Sequence, residues 1–108
     1  MEKTLREVCT AIKVSRRAVQ GYEEAGLVSA TGHNDRGYLL YDESAQRRIA
    51  QIKMYQDFGF MIKEIVRIID APKAVLKASL EKRVLQLEAE KERLKHVIRQ
   101  AYELIGQL

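Results

Sequence analysis

Between Pro72 and Gly106 the chain contains neither glycine nor proline, and its apolar residues recur in alternating steps of four and three. The positions are Leu80, Val84, Leu87, Lys91, Leu94, Ile98, Ala101, Ile105 and Leu108, of which only Lys91 is polar. A helix that covers a globular core drifts off such a pattern, because its period is 3.6. A sustained 3.5-residue period marks a coiled-coil seam. As a helix the stretch is about 50 Å long, and so short a chain has nothing left to cover its seam. The spacing therefore predicts that residues 72–108 form a dimerisation helix whose partner is another chain. Lys91 interrupts the seam near its middle. Either its stem packs while the ammonium reaches water, or it fixes register by pairing with Glu88 or Glu92 of the partner.

Residues 1–71 are expected to form a separate head. Thr4 and Glu7 have capping-box spacing. The helix that follows places Leu5, Val8, Ala11 and Ile12 on one face. Ser15 is a good N-cap for a second helix that carries Val19 and Tyr22 and stops at Gly26. Two short helices joined by about three residues have helix-turn-helix proportions. Val28–Thr31 and Tyr38–Tyr41 are rich in β-formers, and the residues between them, Gly32 to Gly37, are nearly all turn formers. They predict a two-stranded hairpin leaning on the helices. Asp42 caps a third helix with Ala45, Ile49, Ile52 and Tyr55 inward. Phe58-Gly59-Phe60 breaks it. A fourth helix, from Met61 to about Ile69, should bury Met61, Ile62, Ile65, Val66, Ile68 and Ile69, and Asp70-Ala71-Pro72 ends it. The fold class is mainly α: four helices and a hairpin, then one long coiled-coil helix. A head of about 70 residues buries only a thin core.

Composition narrows the function. No apolar run reaches the roughly 18 residues of a membrane span, and the start, Met1-Glu2-Lys3-Thr4, does not read as a secretory signal. Cys9 is the only cysteine, which excludes an intramolecular disulfide and fits a reducing, cytoplasmic setting. It reads as a small packing residue rather than a redox sensor. His33 and His96 are far apart in sequence, and no Cys/His cluster accompanies them, so no metal site or cofactor is expected. No phosphate loop, nucleophile elbow or carboxylate pair points to an enzyme. The net charge of +4 divides unevenly: residues 1–72 hold 11 Lys and Arg against 10 Asp and Glu, residues 73–108 hold 8 against 5. Attraction of the head to phosphate would have to come from local clusters, of which Arg16-Arg17 and Arg47-Arg48 are the clearest. Glu23-Glu24 reads as a solvated pair.

The segment from Ser15 to Leu27, SRRAVQGYEEAGL, resembles the recognition helix of the MerR family of regulators. Gly37-Tyr38, Tyr41, Phe58-Gly59-Phe60 and Lys63-Glu64-Ile65 match in register, so the resemblance covers the whole chain and is strongest over residues 4–72. It implies double-stranded DNA as a partner, with the second helix in the major groove and the hairpin acting as a wing on the flanking backbone. It also implies a homodimer joined by an antiparallel coiled coil. The operator would be a pseudo-palindromic promoter site that is distorted on binding, with RNA polymerase as a further partner there. Arg17, Tyr22 and Tyr38 match contact positions of the family. Gln20, Gly21 and Leu39 stand where the family usually has Arg, Tyr and Arg. Arg16, Arg36 and Lys53 are the residues expected to take over the lost contacts. A family member of this length is either a short form lacking an effector domain or a longer protein cut before one. A different class of function also fits: an adaptor whose winged head has lost DNA affinity and which heterodimerises through the coiled coil. An architectural or excisionase-like role shares the same fold.

Overall fold

The computed structural model describes all 108 residues, Met1–Leu108. In chain order the elements are β1 (Lys3–Thr4), α1 (Leu5–Ile12), α2 (Arg16–Glu24), β2 (Gly32–His33), β3 (Leu39–Tyr41), α3 (Glu43–Asp57), α4 (Ile62–Ile68) and α5 (Lys73–Gln107). They fall into two compact units, Met1–Asp70 and Ala71–Leu108.

In the first unit the helix boundaries follow the capping chemistry. The Thr4 hydroxyl accepts from the Glu7 amide, and the Glu7 carboxylate accepts from the Thr4 amide at 2.9 Å. This reciprocal pairing holds the Glu7 carboxyl below its usual range, with the Thr4 backbone bond as the largest cause. Lys13 takes the left-handed conformation at φ 60° and ends α1. Val14 and Ser15 complete the turn, and the Ser15 hydroxyl accepts from the Ala18 amide to open α2. At the far end of α2, the Leu27 amide bonds the Tyr22 carbonyl and the Gly26 amide bonds that of Glu23. With Gly26 at φ +76°, this is a Schellman cap, and the apolar pair that usually accompanies it is present as buried Leu27 and Tyr22. The Asp42 carboxylate caps α3 through the Ala45 amide.

The hairpin differs from the expectation in two ways. Its first strand is Gly32–His33, not Val28–Thr31, and it belongs to a three-stranded sheet in the order β1-β3-β2. The turn is narrower than its composition suggests. The Asn34 carbonyl accepts from the Gly37 amide, the Asn34 side chain accepts from the Arg36 and Tyr38 amides, and Gly37 sits at φ +80°. That is a type I turn closed by a left-handed bulge glycine. Four residues therefore make the turn, and pairing begins at His33↔Leu39. The third strand, β1, aligns Lys3 with Tyr41 and Thr4 with Leu40.

The core of this unit is built on Val8, Val19, Tyr22, Tyr41, Ile49, Ile52 and Ile65, all essentially without solvent exposure. Ala45 and Tyr55 of α3 are buried as predicted. The expectations for α1 and α4 are only partly met. Ala11 is exposed, and Leu5 and Ile12 are half-buried. On α4, Ile65, Ile68 and Ile69 are buried, Ile62 is half-buried, and Met61 and Val66 are exposed. A helix of seven residues offers one stripe to a core, here i, i+3 and i+4. Met61 lies outside the helix as its N-cap, and Val66 faces away.

The second unit is one helix of 35 residues, and none of them is buried. No helix of the protein is long and apolar enough to cross a membrane.

Candidate nucleic-acid interface

The outward face of α2 follows from its sequence. Val19 and Tyr22, at i and i+3, turn into the core, so Arg16, Arg17, Gln20 and Glu24 project to solvent. Gly21 falls on the same outward arc, and a Cβ placed there would meet nothing within 4 Å. The first turn of α2 holds two arginines and no acid. Their charges add to the partial positive charge of a helix N-terminus.

The wing stands beside this end of the helix. Arg6, Arg16, Gly37, Tyr38 and Leu39 line a cleft of about 530 Å³ together with Thr4 and Leu5. Arg36, at the turn, and Tyr38 are both exposed, Tyr38 by 59%. Arg6 was not among the residues singled out from the sequence. It reaches the cleft because β1 pairs with β3 and so carries the first turn of α1 to the wing. A two-residue strand has no periodicity by which to announce itself.

Three of the expected contacts are occupied otherwise. Tyr22 is buried, with 1% exposure, and its hydroxyl donates to the Gln56 side chain on α3. Burial, helped by the nearby Asp57 charge, raises its pKa. The direct DNA contact implied for Tyr22 is therefore corrected: this side chain supports α2 from behind. Lys53 lies in α3, is largely covered, and pairs with Asp57 at 2.9 Å. It stands outside the Arg6–Arg16–Tyr38 cleft. Of the second arginine pair, Arg47 is exposed, but Arg48 is engaged. Its Nε donates to the Leu27 carbonyl at 2.9 Å, and its two terminal nitrogens hold the Asp70 carboxylate at 2.7 and 2.8 Å. The fork fixes the segment after α2 to the end of α4, and Asp70 is held below the usual carboxylate range by its bonds to Arg48. Arg48 is thus no part of a phosphate cluster.

Glu23 is likewise not a solvated acid. It accepts from the hydroxyl of Tyr41, which is fully buried on β3. Burial, with the Glu23 bond and charge behind it, pushes the Tyr41 hydroxyl far above the ordinary tyrosine range. This bond ties α2 to the inner strand of the wing and so fixes the two exposed surfaces relative to each other.

The sequence profile of the MerR helix-turn-helix family of regulatory proteins matches residues 3–72. The chain belongs to the MerR family. It is 29% identical over 98 residues to the HTH-type transcriptional activator mta of Bacillus subtilis, a match covering 91% of this chain and 38% of that protein. It is 34% identical over 64 residues to the nodulation protein NolA of a Bradyrhizobium strain, covering 59% and 27%. The chain thus spans well under half the length of these relatives. Among solved structures, the N-terminal part of the same Bacillus activator, MtaN, superimposes with a TM-score of 0.73 at 26% identity, covering 95% of this chain and 97% of that one. A MerR-family regulator from Bacillus cereus shares the fold with a TM-score of 0.80 at 24% identity, covering 95% and 79%.

Proposed function

We propose that this chain is a homodimeric, sequence-specific DNA-binding transcription regulator. The observation that carries the reading is the outward arc of α2, where Arg17 and Gln20 are free of the core while Val19 and Tyr22 anchor the opposite side. In this reading α2 enters the major groove, with Arg17 and Gln20 toward base edges. Arg6 and Arg16 meet phosphates at the mouth of the cleft, and Arg36 and Tyr38 bring the wing to the flanking backbone. Residues 1–71 act as the DNA-binding head. Residues 72–108 dimerise through Leu80, Val84, Leu87, Lys91, Leu94, Ile98, Ala101, Ile105 and Leu108 in an antiparallel coiled coil. Two heads related by a twofold axis call for a pseudo-palindromic promoter operator, which is distorted on binding and presented to RNA polymerase. Support comes from HiNmlR, a MerR-family regulator described as bound to promoter DNA, which shares this fold with a TM-score of 0.66 at 20% identity, covering 86% of this chain and 77% of that one.

The test is selection from random duplexes with the purified chain at defined salt. Recovery of a palindromic motif is expected. Arg16→Ala should then weaken binding evenly across sequences and lower the salt slope by about 2 per dimer, one phosphate per head. Arg17→Ala should instead relax the preference at one base pair in each half-site. No enrichment, together with a shallow salt slope, would refute the reading and favour the adaptor.

A further inference from the structure

The seam of α5 has a heptad phase that can be read position by position. Val84, Lys91, Ile98 and Ile105 take position a, and Leu87, Leu94, Ala101 and Leu108 take position d. Val84 and Ile98 are more than half exposed, and Leu94 is 44% exposed, so the stripe is apolar and uncovered. Outside it, Glu88 and Lys95 occupy successive e positions, and Arg83 and Glu90 successive g positions.

These placements discriminate between arrangements of two copies. In a parallel pair each a residue faces its own equivalent, which would set Lys91 against the partner's Lys91 inside the seam and leave like charges desolvated together. In an antiparallel pair a faces d, and e faces e. Three registers, one heptad apart, keep the seam closed. If Lys91 faced the partner's Leu87, Glu88 would lie opposite the partner's Glu88 and Glu90 opposite the partner's Glu90. If Leu94 faced the partner's Ile98, Lys95 would oppose the partner's Lys95. Only the middle register, with Lys91 against the partner's Leu94, sets Glu88 opposite the partner's Lys95, and it does so twice through the symmetry.

We infer that α5 pairs antiparallel with α5 of a second copy about a twofold axis between Glu92 and Arg93, held in register by reciprocal Glu88–Lys95 pairs. The inference rests on the dimer reading above and specifies its geometry. In the single chain Lys95 reaches Glu92 of its own helix at 3.2 Å, with both side chains more than half exposed. Such an i,i+3 contact is worth only tenths of a kcal/mol, so it does not prevent the longer reach. In this register the Lys91 stem covers the partner's Leu94 and its ammonium emerges beside the acidic residues near the axis.

The experiment places a spin label on Lys82, on the outer face of α5, in the full chain with Cys9→Ala, and measures the label-to-label distance alongside the mass in solution. In the inferred register the labels are separated along the axis by about 31 Å. The two neighbouring registers give about 21 and 42 Å along the axis, and a parallel pair gives none. A dimer with any of those three distances overturns the register while leaving the dimer standing. A monomer overturns both. As a second readout, Glu88→Lys alone and Lys95→Glu alone should each weaken dimerisation on the order of tenfold, because two attractive pairs become repulsive. The combined Glu88→Lys, Lys95→Glu chain should recover. In a parallel pair Glu88 faces the partner's Arg83 and Lys95 the partner's Glu90, so the combined chain would be weaker than either single variant.

Discussion

Two glycines five residues apart on one helix make opposite demands, and the same substitution separates them. Gly21 lies within α2, and Gly26 lies just beyond its end at φ +76°. An added Cβ meets nothing within 4 Å at either place. Packing therefore cannot decide the outcome, and backbone conformation must. At Gly21 the backbone is helical, and alanine is favoured over glycine by about 1 kcal/mol. At Gly26 the left-handed conformation costs a residue with a Cβ roughly 1–2 kcal/mol. For a head of this size, 1 kcal/mol corresponds to a shift in Tm of about 4–8 °C. Gly21→Ala is accordingly expected to raise the Tm by several degrees and Gly26→Ala to lower it by as much or more. The assay is thermal or urea unfolding of each variant at one fixed protein concentration, since dimerisation couples to stability. Shifts of the same sign would refute the reasoning. A DNA titration of Gly21→Ala adds a second answer. If the helix backbone approaches DNA closely at this point, affinity falls even as stability rises; unchanged affinity would show that glycine is simply tolerated there.

Three further outcomes follow from bonds described above. Tyr41→Phe removes a buried hydroxyl from the Glu23 carboxylate and should destabilise the head by about 1–3 kcal/mol, measured by urea unfolding; a neutral result would mean that water replaces the hydroxyl. Asp70→Asn should flatten the acid limb of stability. The Asp70 carboxyl is held low by Arg48 in the folded chain, so its contribution is complete above its ordinary value near 3.8 and is lost as pH falls through the depressed one. Unfolding midpoints that decline with acid equally in both proteins would refute that assignment. Lys91→Leu should raise the Tm of the dimer by removing a polar residue from the seam, and a sedimentation profile showing trimers or tetramers instead would assign Lys91 a role in fixing the assembly.

The helix boundaries were legible because each is set by chemistry within four residues of itself. Thr4 with Glu7, Ser15, Asp42 and Gly26 all act where the sequence places them. The sheet was less legible, because two-residue strands owe their existence to partners far along the chain. Thr4 pairs with Leu40, and nothing local to either residue indicates it. Tyr22 is instructive because two lines of reasoning pointed in opposite directions. Its i,i+3 spacing from Val19 placed it on the core face, and the family resemblance placed it on DNA. In this fold the periodicity prevails, since the tyrosine ring fills the space beneath the Schellman turn and its hydroxyl finds Gln56. Glu23 and Arg48 were misread for a common reason. A charged residue in a linear sequence looks solvated by default, and only the fold brings the Tyr41 hydroxyl or the Leu27 carbonyl within reach.

The same bonds explain how a head of nearly balanced charge can present a basic surface. Glu23 is turned inward by Tyr41, and Asp70 is taken up by Arg48. On α2 this leaves Arg16 and Arg17 facing solvent with Glu24 as their only exposed acidic neighbour. Arg6 and Arg36 extend the positive surface onto α1 and the wing. If all four arginines of each head met phosphate, a dimer would neutralise eight, for a salt slope near 7. Arginines in place of Gln20 and Leu39 would have made that slope steeper. Gln20 forgoes charge for a side chain that can bond adenine at two atoms in the major groove. With fewer phosphates neutralised, non-specific affinity falls more than affinity for a site that Gln20 can read. The departures that weaken this head electrostatically therefore favour discrimination among sequences, provided the Glu23–Tyr41 bond holds α2 and the wing at a fixed spacing.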